Sequence, residues 1–477
     1  MNPGKIERIH FVGIGGTGMS GLAEILLTMG YQVSGSDLSA SAVTERLSSL
    51  GAKIYLGHER EHALGADLVV ISSAIGRYNP ELRAARESGT ATLKRGEVLA
   101  EIMRLRNGIA VAGSHGKTTT TSLTGHLLTQ AGLDPTVIVG GQLKKIGSNA
   151  LFGRGDYLVA EADESDRSFL DLQPTLAVVT NIDREHLDRY RSLVDIRKAF
   201  LKFMRHVPFY GLAIVCGDDP NVRAILPEMR KRVTTYGFGE HNRLRAVDVE
   251  ADGLAQRFTV LSDDETLGRA RVTLPGRHNI QNALAAIAVG LEVGIEPAAC
   301  LAALDGFDGV GRRCEVHPET AGMIWIDDYA HHPTELAAIL STVRSVFPER
   351  RLLAFFQPHR YSRVQGLARE FAEVLGDVDQ LVLSEIYPGG EKPLPGVTTD
   401  LLIDQIRAIH EVPIEKVNGE KEARSTISKM LRPGDLFVTL GAGTVSRWGR
   451  AIVDDYSQIH GALTGTRGET HRQGSPE

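Results

Sequence analysis

The chain has 477 residues, too long for a single hydrophobic core, and its length predicts about three domains. Hydrophobic residues make up 42% and charged residues 23%, and the net charge of −6 argues against a nucleic-acid-binding protein, which would carry a basic patch. Three widely separated cysteines, an N-terminus without a signal-peptide pattern and the lack of a long apolar segment argue against disulfides and membrane spans, so we expect a cytoplasmic protein.

The first part of the chain has the pattern of a small nucleotide-binding domain. Its predicted elements are, in chain order, a strand at residues 9–12, a glycine-rich turn at 13–21, a helix to Met29 and a strand at 31–33. Gly13, Gly15 and Gly18 match the dinucleotide fingerprint G-x-G-x-x-G, and Asp37 follows the second strand. A glycine turn at a helix N-terminus favours any diphosphate, however. With one or two further strands, we expect a domain over residues 1–107 that holds a diphosphate-bearing ligand.

The letters HEREH at residues 58–62 match the H-E-x-x-H pattern of zinc proteases. The stretch directly follows Gly57 and lies in a short charged segment, with no long apolar helix to carry two histidine ligands. We therefore predict a solvated surface segment here.

The most informative stretch is GSHGKTTTT at residues 113–121. It follows a short apolar run at 109–112 and precedes a segment with helical periodicity at 122–130. A strand, a glycine turn with lysine and a helix bind nucleoside triphosphates, because backbone N–H groups and the positive helix end face the phosphates. Lys117 adds a mobile charge, and the Thr118 hydroxyl can reach Mg²⁺. The sequence predicts ATP binding through a shortened phosphate loop.

Carboxylates and a histidine follow the next two predicted strands. Glu161 begins the acidic run EADESD after the strand at 157–160, and His186 lies in the run NIDREHLD after the strand at 176–180. The C-terminal ends of parallel strands share the sheet edge where an open α/β fold binds its ligands. Glu161 and His186 are therefore candidate Mg²⁺ ligands beside the phosphates.

Two later stretches add candidate nucleotide contacts. His278 and Asn279 lie at the start of a predicted helix, where they could cap the helix or face a base. Arg312 and Arg313 end a glycine-rich connector, and a guanidinium suits a phosphate. We place the central domain at residues 108–313.

The third predicted domain, at residues 314–457, again alternates strands and helices. Two of its strands end in polar runs, DDYAHHP at 327–333 and QPHRYSR at 357–363, which suggests one crevice built from several loops. From residue 458 to residue 477 the chain is rich in Gly, Thr, Arg and Ser, which predicts a disordered tail.

These motifs, in this order, resemble the Mur ligase family of bacterial peptidoglycan synthesis. The matching pieces are residues 13–21, 113–121, 161–166, 180–188, 278–283, 327–333 and 357–363. The resemblance implies an α/β protein of three domains: a Rossmann-like N-terminal domain for a UDP-sugar, a central P-loop-type mixed α/β domain for ATP, and a Rossmann-like C-terminal domain for an amino acid.

The resemblance also implies a reaction and its partners. ATP, with Mg²⁺ or Mn²⁺, would phosphorylate the lactyl carboxylate of UDP-N-acetylmuramate, and L-alanine would attack the resulting acyl phosphate. Both substrates are small molecules. No nucleic-acid or membrane partner is expected, and the chain would act as a monomer or a homodimer.

Site residues are implied motif by motif. The implied catalytic residues are Lys117, His186, Arg313 and Asp328. The implied nucleotide-binding residues are Gly113, His115, Gly116, Lys117, Thr118, Thr119, Asn279, Asn282 and Arg313. The implied metal ligands are Thr118, Glu161 and His186. The implied UDP-sugar contacts are Gly15, Gly16, Gly18, Ser36, Asp37 and Ser72. The implied amino-acid contacts are Tyr329, His331, His359, Arg360 and Arg363.

Three other functions are compatible with part of the sequence. A sibling ligase would join a preformed peptide to the same UDP-sugar, but the form of residues 13–21 fits the alanine-adding branch. A nicotinamide-dependent oxidoreductase would explain the glycine turn and Asp37 but leaves the ATP loop unused. A non-catalytic sensor of UDP-sugar and ATP would be expected to have lost residues such as Lys117 and Glu161.

Overall fold

The structure is a computed structural model that describes residues 6–72, 75–143, 148–186 and 189–465. Its backbone divides into two compact units, Met1–Gly311 and Arg312–Glu477. The first unit contains two sheets and the second contains one, so the predicted α/β architecture is confirmed. The division lies two residues before the boundary predicted at residue 313, so Arg312 and Arg313 belong to the second unit.

The N-terminal sheet is parallel, with the order β3-β2-β1-β4-β5. Its strands are β1 (Arg8–Val12), β2 (Gln32–Asp37), β3 (Lys53–Leu56), β4 (Leu68–Ile71) and β5 (Ala91–Lys94). Its helices are α1 (Thr17–Thr28), α2 (Ala42–Ser49), α3 (Pro80–Glu87) and α4 (Arg95–Arg104). Three strands follow β2, so the prediction of one or two was wrong. Strands β3 and β5 are four-residue edge strands without a buried residue, and they therefore lack the apolar signal of a core strand.

The central sheet is mixed, with the order β15-β14-β13-β12-β11-β10-β6-β9-β7-β8. Its strands are β6 (Asn107–Ala112), β7 (Thr136–Leu143), β8 (Ser148–Leu151), β9 (Tyr157–Glu161), β10 (Leu176–Val179), β11 (Leu212–Cys216), β12 (Val233–Gly237), β13 (Leu244–Asp252), β14 (Ala255–Ser262) and β15 (Glu265–Val272). Its helices are α5 (Lys117–Gln130), α6 (Leu193–Met204), α7 (Pro220–Ile225), α8 (Arg277–Glu292) and α9 (Pro297–Ala303).

Burial differs between the parallel middle of this sheet and its antiparallel end. Every residue of β10 and β11 is buried, as expected for strands covered by helices on both faces. Strands β13, β14 and β15 pair antiparallel and are only partly buried: buried residues alternate with less buried ones at the start of β13, in the middle of β14 and at the end of β15. The phosphate loop follows β6, which pairs with β9 and β10, so all three carboxyl ends meet at one edge.

The sheet of the second unit has the order β16-β17-β21-β18-β19-β20 and is parallel apart from β16. Its strands are β16 (Glu315–Val316), β17 (Ile324–Asp328), β18 (Leu352–Phe356), β19 (Gln380–Ser384), β20 (Ile414–Val417) and β21 (Leu436–Leu440). Its helices are α10 (Pro333–Val346), α11 (Tyr361–Gly366), α12 (Ala368–Leu375), α13 (Thr399–Arg407), α14 (Gly419–Met430) and α15 (Val445–Gly465).

Helix α15 corrects the prediction for the end of the chain. It continues to Gly465, so a disordered tail from residue 458 was wrong for residues 458–465. Ile452 and Tyr456 are fully buried and fix the helix to the sheet, and tertiary packing of this kind stabilises a helix against its local composition. Residues 466–477 of the predicted tail lie outside the described residues. Among the residues that the structure describes, no helix combines the length and apolar character needed to cross a membrane.

Candidate active site

The phosphate loop between β6 and α5 has a conformation that depends on its glycines. Gly113 and Gly116 have φ angles of 143° and 82°, which residues with a Cβ rarely adopt. A Cβ at Gly113 would overlap the Thr180 hydroxyl. A Cβ at Gly116 would lie 2.7 Å from Oδ1 of Asn282. The Thr180 hydroxyl also donates to the carbonyl of His115 at 2.6 Å, so the end of β10 fixes the loop in place.

Lys117, the first residue of α5, is held by oxygen atoms on two sides. Its Nζ donates to the carbonyls of Gly113 and Ser114 at 2.5 and 3.0 Å. It also donates to Oε1 of Glu164 at 2.9 Å. Burial alone would lower the pKa of Lys117, but neighbouring carboxylates, Glu164 foremost, raise that pKa above its usual range. Lys117 is therefore a fixed cation at the start of the helix, where bound phosphates require one.

The predicted metal ligands lie in two groups. The Thr118 hydroxyl donates to Oε2 of Glu161 at 3.0 Å. His186 Nε2 lies 3.3 Å from Oε1 of Glu164 and 3.6 Å from Oε2 of Glu185. One donor atom from each of these last three residues falls within 4.8 Å of the others, so they could hold a metal ion. Sequence reasoning did not single out Glu164 and Glu185, although both lie in the acidic runs after β9 and β10.

The two asparagines of α8 lie against the start of α5. Oδ1 of Asn282 accepts a hydrogen bond from the Thr120 hydroxyl at 3.1 Å. Nδ2 of Asn282 donates to Oδ1 of Asn279 at 3.0 Å, and Asn279 donates to the Pro275 carbonyl at 2.7 Å. Thr119, one residue before Thr120, is also buried. These hydrogen bonds hold α8 beside the phosphate loop. Direct contact of Asn279 and Asn282 with a nucleotide stays a prediction.

The N-terminal glycine turn lies at the carboxyl end of β1, the central strand of its sheet. The Gly15 amide donates to Oδ2 of Asp37 at 2.8 Å, which joins the turn to the end of β2. Gly16 immediately precedes α1. A Cβ at Gly18 would lie 2.8 Å from the guanidinium of Arg95, so a glycine is needed for this close approach.

A cavity of about 380 Å³ lies between the end of β4, the start of α4 and the segment after β9. Ser72, Lys94 and Arg95 line one side, and Arg167 and Arg189 line the other, together with two aspartates. Four cations against two carboxylates favour an anionic ligand. The four cations come from three segments of the chain, at residues 94–95, 167 and 189, so no local sequence pattern indicates the cavity.

The prediction of a solvated segment at residues 58–62 was wrong for its two histidines. Nδ1 atoms of His58 and His62 lie 3.4 and 3.2 Å from Oε1 of the buried Glu81. On the other carboxylate oxygen, His10 Nε2 lies at 3.2 Å and the Ser36 hydroxyl donates at 2.7 Å. A buried carboxylate is stable only with such partners, because an unpaired charge in the interior is costly. The segment therefore packs around Glu81, which lies on α3.

In the second unit, Asp328 ends β17 and accepts two backbone hydrogen bonds. Its Oδ2 accepts from the Cys314 amide at 2.6 Å, and its Oδ1 accepts from the Ala330 amide at 2.7 Å. Burial raises the pKa of Asp328 to about 6, against the opposing effect of the Arg313 charge. The Arg313 guanidinium lies 5.1 Å from the centre of the Tyr329 ring.

The five residues implied for amino-acid binding lie in one cluster of the second unit. The Tyr329 and His331 rings are 5.4 Å apart, and the His331 and His359 rings are 5.7 Å apart. Arg363 donates to Nδ1 of His359 at 3.1 Å. Burial, followed by the charges of His331 and the two arginines, lowers the pKa of His359 to about 3, so its ring is neutral at pH 7. Arg360 immediately precedes α11.

Three family models match successive parts of the chain. The model described as the Mur ligase family catalytic domain matches residues 8–107. The Mur ligase middle domain matches residues 111–290, and the Mur ligase glutamate ligase domain matches residues 312–443. These matches cover well over half of the chain. The chain belongs to the Mur ligase family.

Individual Mur ligases are similar to this chain over nearly its whole length. The UDP-N-acetylmuramate–L-alanine ligase of Oleidesulfovibrio alaskensis is 51% identical over 451 residues, which are 94% of this chain and 99% of that protein. The protein of the same name from Anaeromyxobacter dehalogenans is 52% identical over 446 residues, 94% and 97% of the two chains.

Solved structures of Mur ligases have the same fold. The UDP-N-acetylmuramate–alanine ligase of Thermotoga maritima gives a TM-score of 0.81 at 29% identity, covering 95% of this chain and 99% of that one. A murein peptide ligase from Psychrobacter arcticus gives a TM-score of 0.71 at 25% identity with the same coverage. Of these two Mur ligases, the alanine ligase is the more similar in structure.

Proposed function

We propose that this Mur ligase joins L-alanine to the lactyl carboxylate of UDP-N-acetylmuramate, with conversion of ATP to ADP and phosphate, in peptidoglycan synthesis. The observation that carries the proposal is the phosphate loop, where Glu164 fixes Lys117 at the edge that also bears Thr118 and Glu161. About half of the residues are identical to those of proteins named as UDP-N-acetylmuramate–L-alanine ligases, which supports the choice of substrates.

The residues present fit a nucleoside triphosphate with a divalent cation. The loop glycines let the backbone pack closely against Thr180 and Asn282, and the N-terminus of α5, which favours an anion, lies directly behind them. Oε2 of Glu164 is buried with no hydrogen-bond partner in the described part of the chain, as expected for a carboxylate that faces a cation. Thr118, Glu161 and His186 would hold Mg²⁺ or Mn²⁺, which offsets the phosphate charge when it is bound.

The chain's own residues can assist the reaction in defined ways. A carboxylate is a poor electrophile, and phosphorylation gives it a leaving group that the amine of L-alanine can displace. Lys117 would offset the charge that develops on the transferred phosphoryl group. Water must be excluded while the acyl phosphate exists, because hydrolysis would waste it. Roles for Arg313 and Asp328 at the nucleotide follow from the family resemblance and stay predictions.

The two other substrates would bind at separate places. The UDP diphosphate would bind at Gly15, Gly16 and Gly18, and the basic cavity beside Ser72 offers further positive charge. In the second unit, Arg360 or Arg363 would hold the L-alanine carboxylate through two parallel hydrogen bonds.

Phosphate release tests the proposal. We expect the purified chain to release phosphate from ATP when UDP-N-acetylmuramate and L-alanine are both present, and Lys117→Ala to abolish the release. NAD added in place of ATP is the control for an oxidoreductase and should give no turnover. Release with a peptide and none with L-alanine would assign the chain to the peptide-adding ligases, and ATP binding without any turnover would support a sensor.

A further inference from the structure

A loop for which the sequence predicted no role packs directly against the arginine-bearing segment of the second unit. This loop, the β19–α13 loop, comprises residues 385–398. The Tyr387 amide donates to the Pro358 carbonyl and the Arg360 amide donates to the Tyr387 carbonyl, both at 2.8 Å. The Tyr387 ring is stacked on that of His359, with centroids 5.6 Å apart and planes 11° from parallel. The loop therefore supports the segment through both backbone and ring contacts.

Glu391 fixes the same segment on its other side. Its Oε1 accepts the Ser362 hydroxyl at 2.5 Å, and its Oε2 accepts the Ser362 amide at 3.0 Å. That amide lies in the first turn of α11, where backbone N–H groups lack partners within the helix. Arg363 is the next residue, so the two bonds from Glu391 fix the start of the turn that carries its guanidinium.

Arg360 lies between these two supports in an unfavourable backbone conformation. Its φ of 70° and ψ of 132° suit glycine rather than a residue with a side chain. Gly389 allows the loop to come this close, since a Cβ there would lie 2.8 Å from Nε2 of His359. Nε of Arg360 is buried and has no hydrogen-bond partner among the described residues. A buried guanidinium nitrogen without an acceptor indicates that a ligand supplies one, and a carboxylate matches its geometry.

We infer that Tyr387 and Glu391 are positioning residues that hold Arg360 and Arg363 ready to receive the carboxylate of the amino-acid substrate. The inference rests on the proposed function, because it takes this cluster as the amino-acid site. Side chains that are already fixed lose less conformational freedom when a ligand binds, so the supports strengthen binding without contacting the ligand.

Steady-state kinetics with each substrate varied in turn tests the inference. Glu391→Gln keeps the shape and removes the charge, and should raise the KM for L-alanine about tenfold, the loss expected for a charge-assisted hydrogen bond. The KM values for ATP and UDP-N-acetylmuramate should stay unchanged. Glu422→Gln is the matched control, because Glu422 accepts the Asn418 amide at 2.7 Å at the start of another helix, α14. The Glu422→Gln variant should leave all three KM values unaltered.

A second pair of variants examines the ring. Tyr387→Leu removes the stack on His359 and should raise the KM for L-alanine, and Tyr387→Phe, which keeps the ring, should restore most of the lost affinity. Urea unfolding of every variant shows whether a substitution destabilises the fold, which would indicate a merely structural role.

The outcomes separate the inference from the proposed function. A joint rise of all three KM values together with a lower urea midpoint would show a structural role for the loop and overturn the inference. An unchanged KM for L-alanine in both Glu391→Gln and Tyr387→Leu would also overturn it, while leaving the ligase assignment in place. If the unaltered chain releases no phosphate with L-alanine, the proposed function itself fails.

Discussion

Replacement of Lys117 by methionine should destabilise the first unit as well as abolish phosphoryl transfer. Lys117 Nζ lies 2.9 Å from Oε1 of Glu164, whose side chain is only 3% exposed. Without the ammonium, the buried carboxylate still has His186 Nε2 at 3.3 Å but has lost its lysine partner. Breaking a buried ion pair by removal of one partner costs about 3–5 kcal/mol. That loss is a large fraction of the free energy of unfolding of a typical domain, about 5–15 kcal/mol.

A second substitution in the same chain should reverse most of this loss. Glu164→Gln has nearly the same volume and no charge, so the Lys117→Met/Glu164→Gln variant contains no uncompensated carboxylate at this position. We expect the double variant to regain about 2 kcal/mol or more relative to the single variant. Phosphate release should stay lost in both variants, because both lack the lysine that we propose acts on the phosphate.

Urea unfolding followed by far-ultraviolet circular dichroism measures the stabilities, and phosphate release measures the activity. Lys416→Met is the control: Lys416 pairs with Asp400 at 2.7 Å on the exposed surface, and its loss should hardly change stability. The reasoning is refuted if Lys117→Met is as stable as the unaltered chain, or if the double variant is no more stable than the single one.

Four further results are expected. Gly113→Ala, whose Cβ would overlap the Thr180 hydroxyl, should lower the free energy of unfolding by about 2 kcal/mol or more, and wild-type stability in urea would contradict this. Burial raises the pKa of Glu81, but hydrogen bonds from His10 and its neighbours outweigh it and hold that pKa below the ordinary 4.5. The carboxylate therefore stabilises the fold above pH 4.5, and this contribution is lost as the pH falls through the folded-state pKa. In Glu81→Gln, the urea midpoint should fall less steeply at acid pH than in the unaltered chain, and an equally steep fall would refute this role of Glu81. Burial raises the pKa of Asp328 from 3.8 to about 6, so ionisation of this carboxyl lowers stability as the pH rises from 3.8 to about 6. The thermal midpoint of the unaltered chain should decline over this pH range, and Asp328→Asn should remove that decline. Chelation with EDTA should stop phosphate release, and added Mg²⁺ or Mn²⁺ should restore it; release that persists in EDTA would exclude a metal requirement.

The phosphate loop could be predicted from sequence because its determinants are local. Glycines, lysine and threonine lie within nine consecutive residues, and their spacing alone specifies a turn that opens a helix. The parallel core strands could also be predicted from the sequence, because buried strands such as β10 are continuous apolar runs.

Other parts of the site depend on packing and left no local signal. The acidic run at residues 161–166 contains several carboxylates, and nothing in its sequence shows that Glu164 is buried against Lys117. Tyr387 stacks on His359 because β18 and β19 are neighbours in the sheet, a relation set by topology. The histidines of residues 58–62 similarly turn inward because Glu81, about twenty positions later, is buried beneath them.

The hydrogen bond between Thr120 and Asn282 joins residues 162 positions apart, and this separation affects how the enzyme folds. Contacts between residues far apart in the chain form slowly, because closing a long loop costs conformational entropy before the contact stabilises it. During synthesis the phosphate loop leaves the ribosome well before α8 does. The proposed nucleotide site would therefore be completed late, and ATP would stabilise the nascent protein only after α8 has docked on α5.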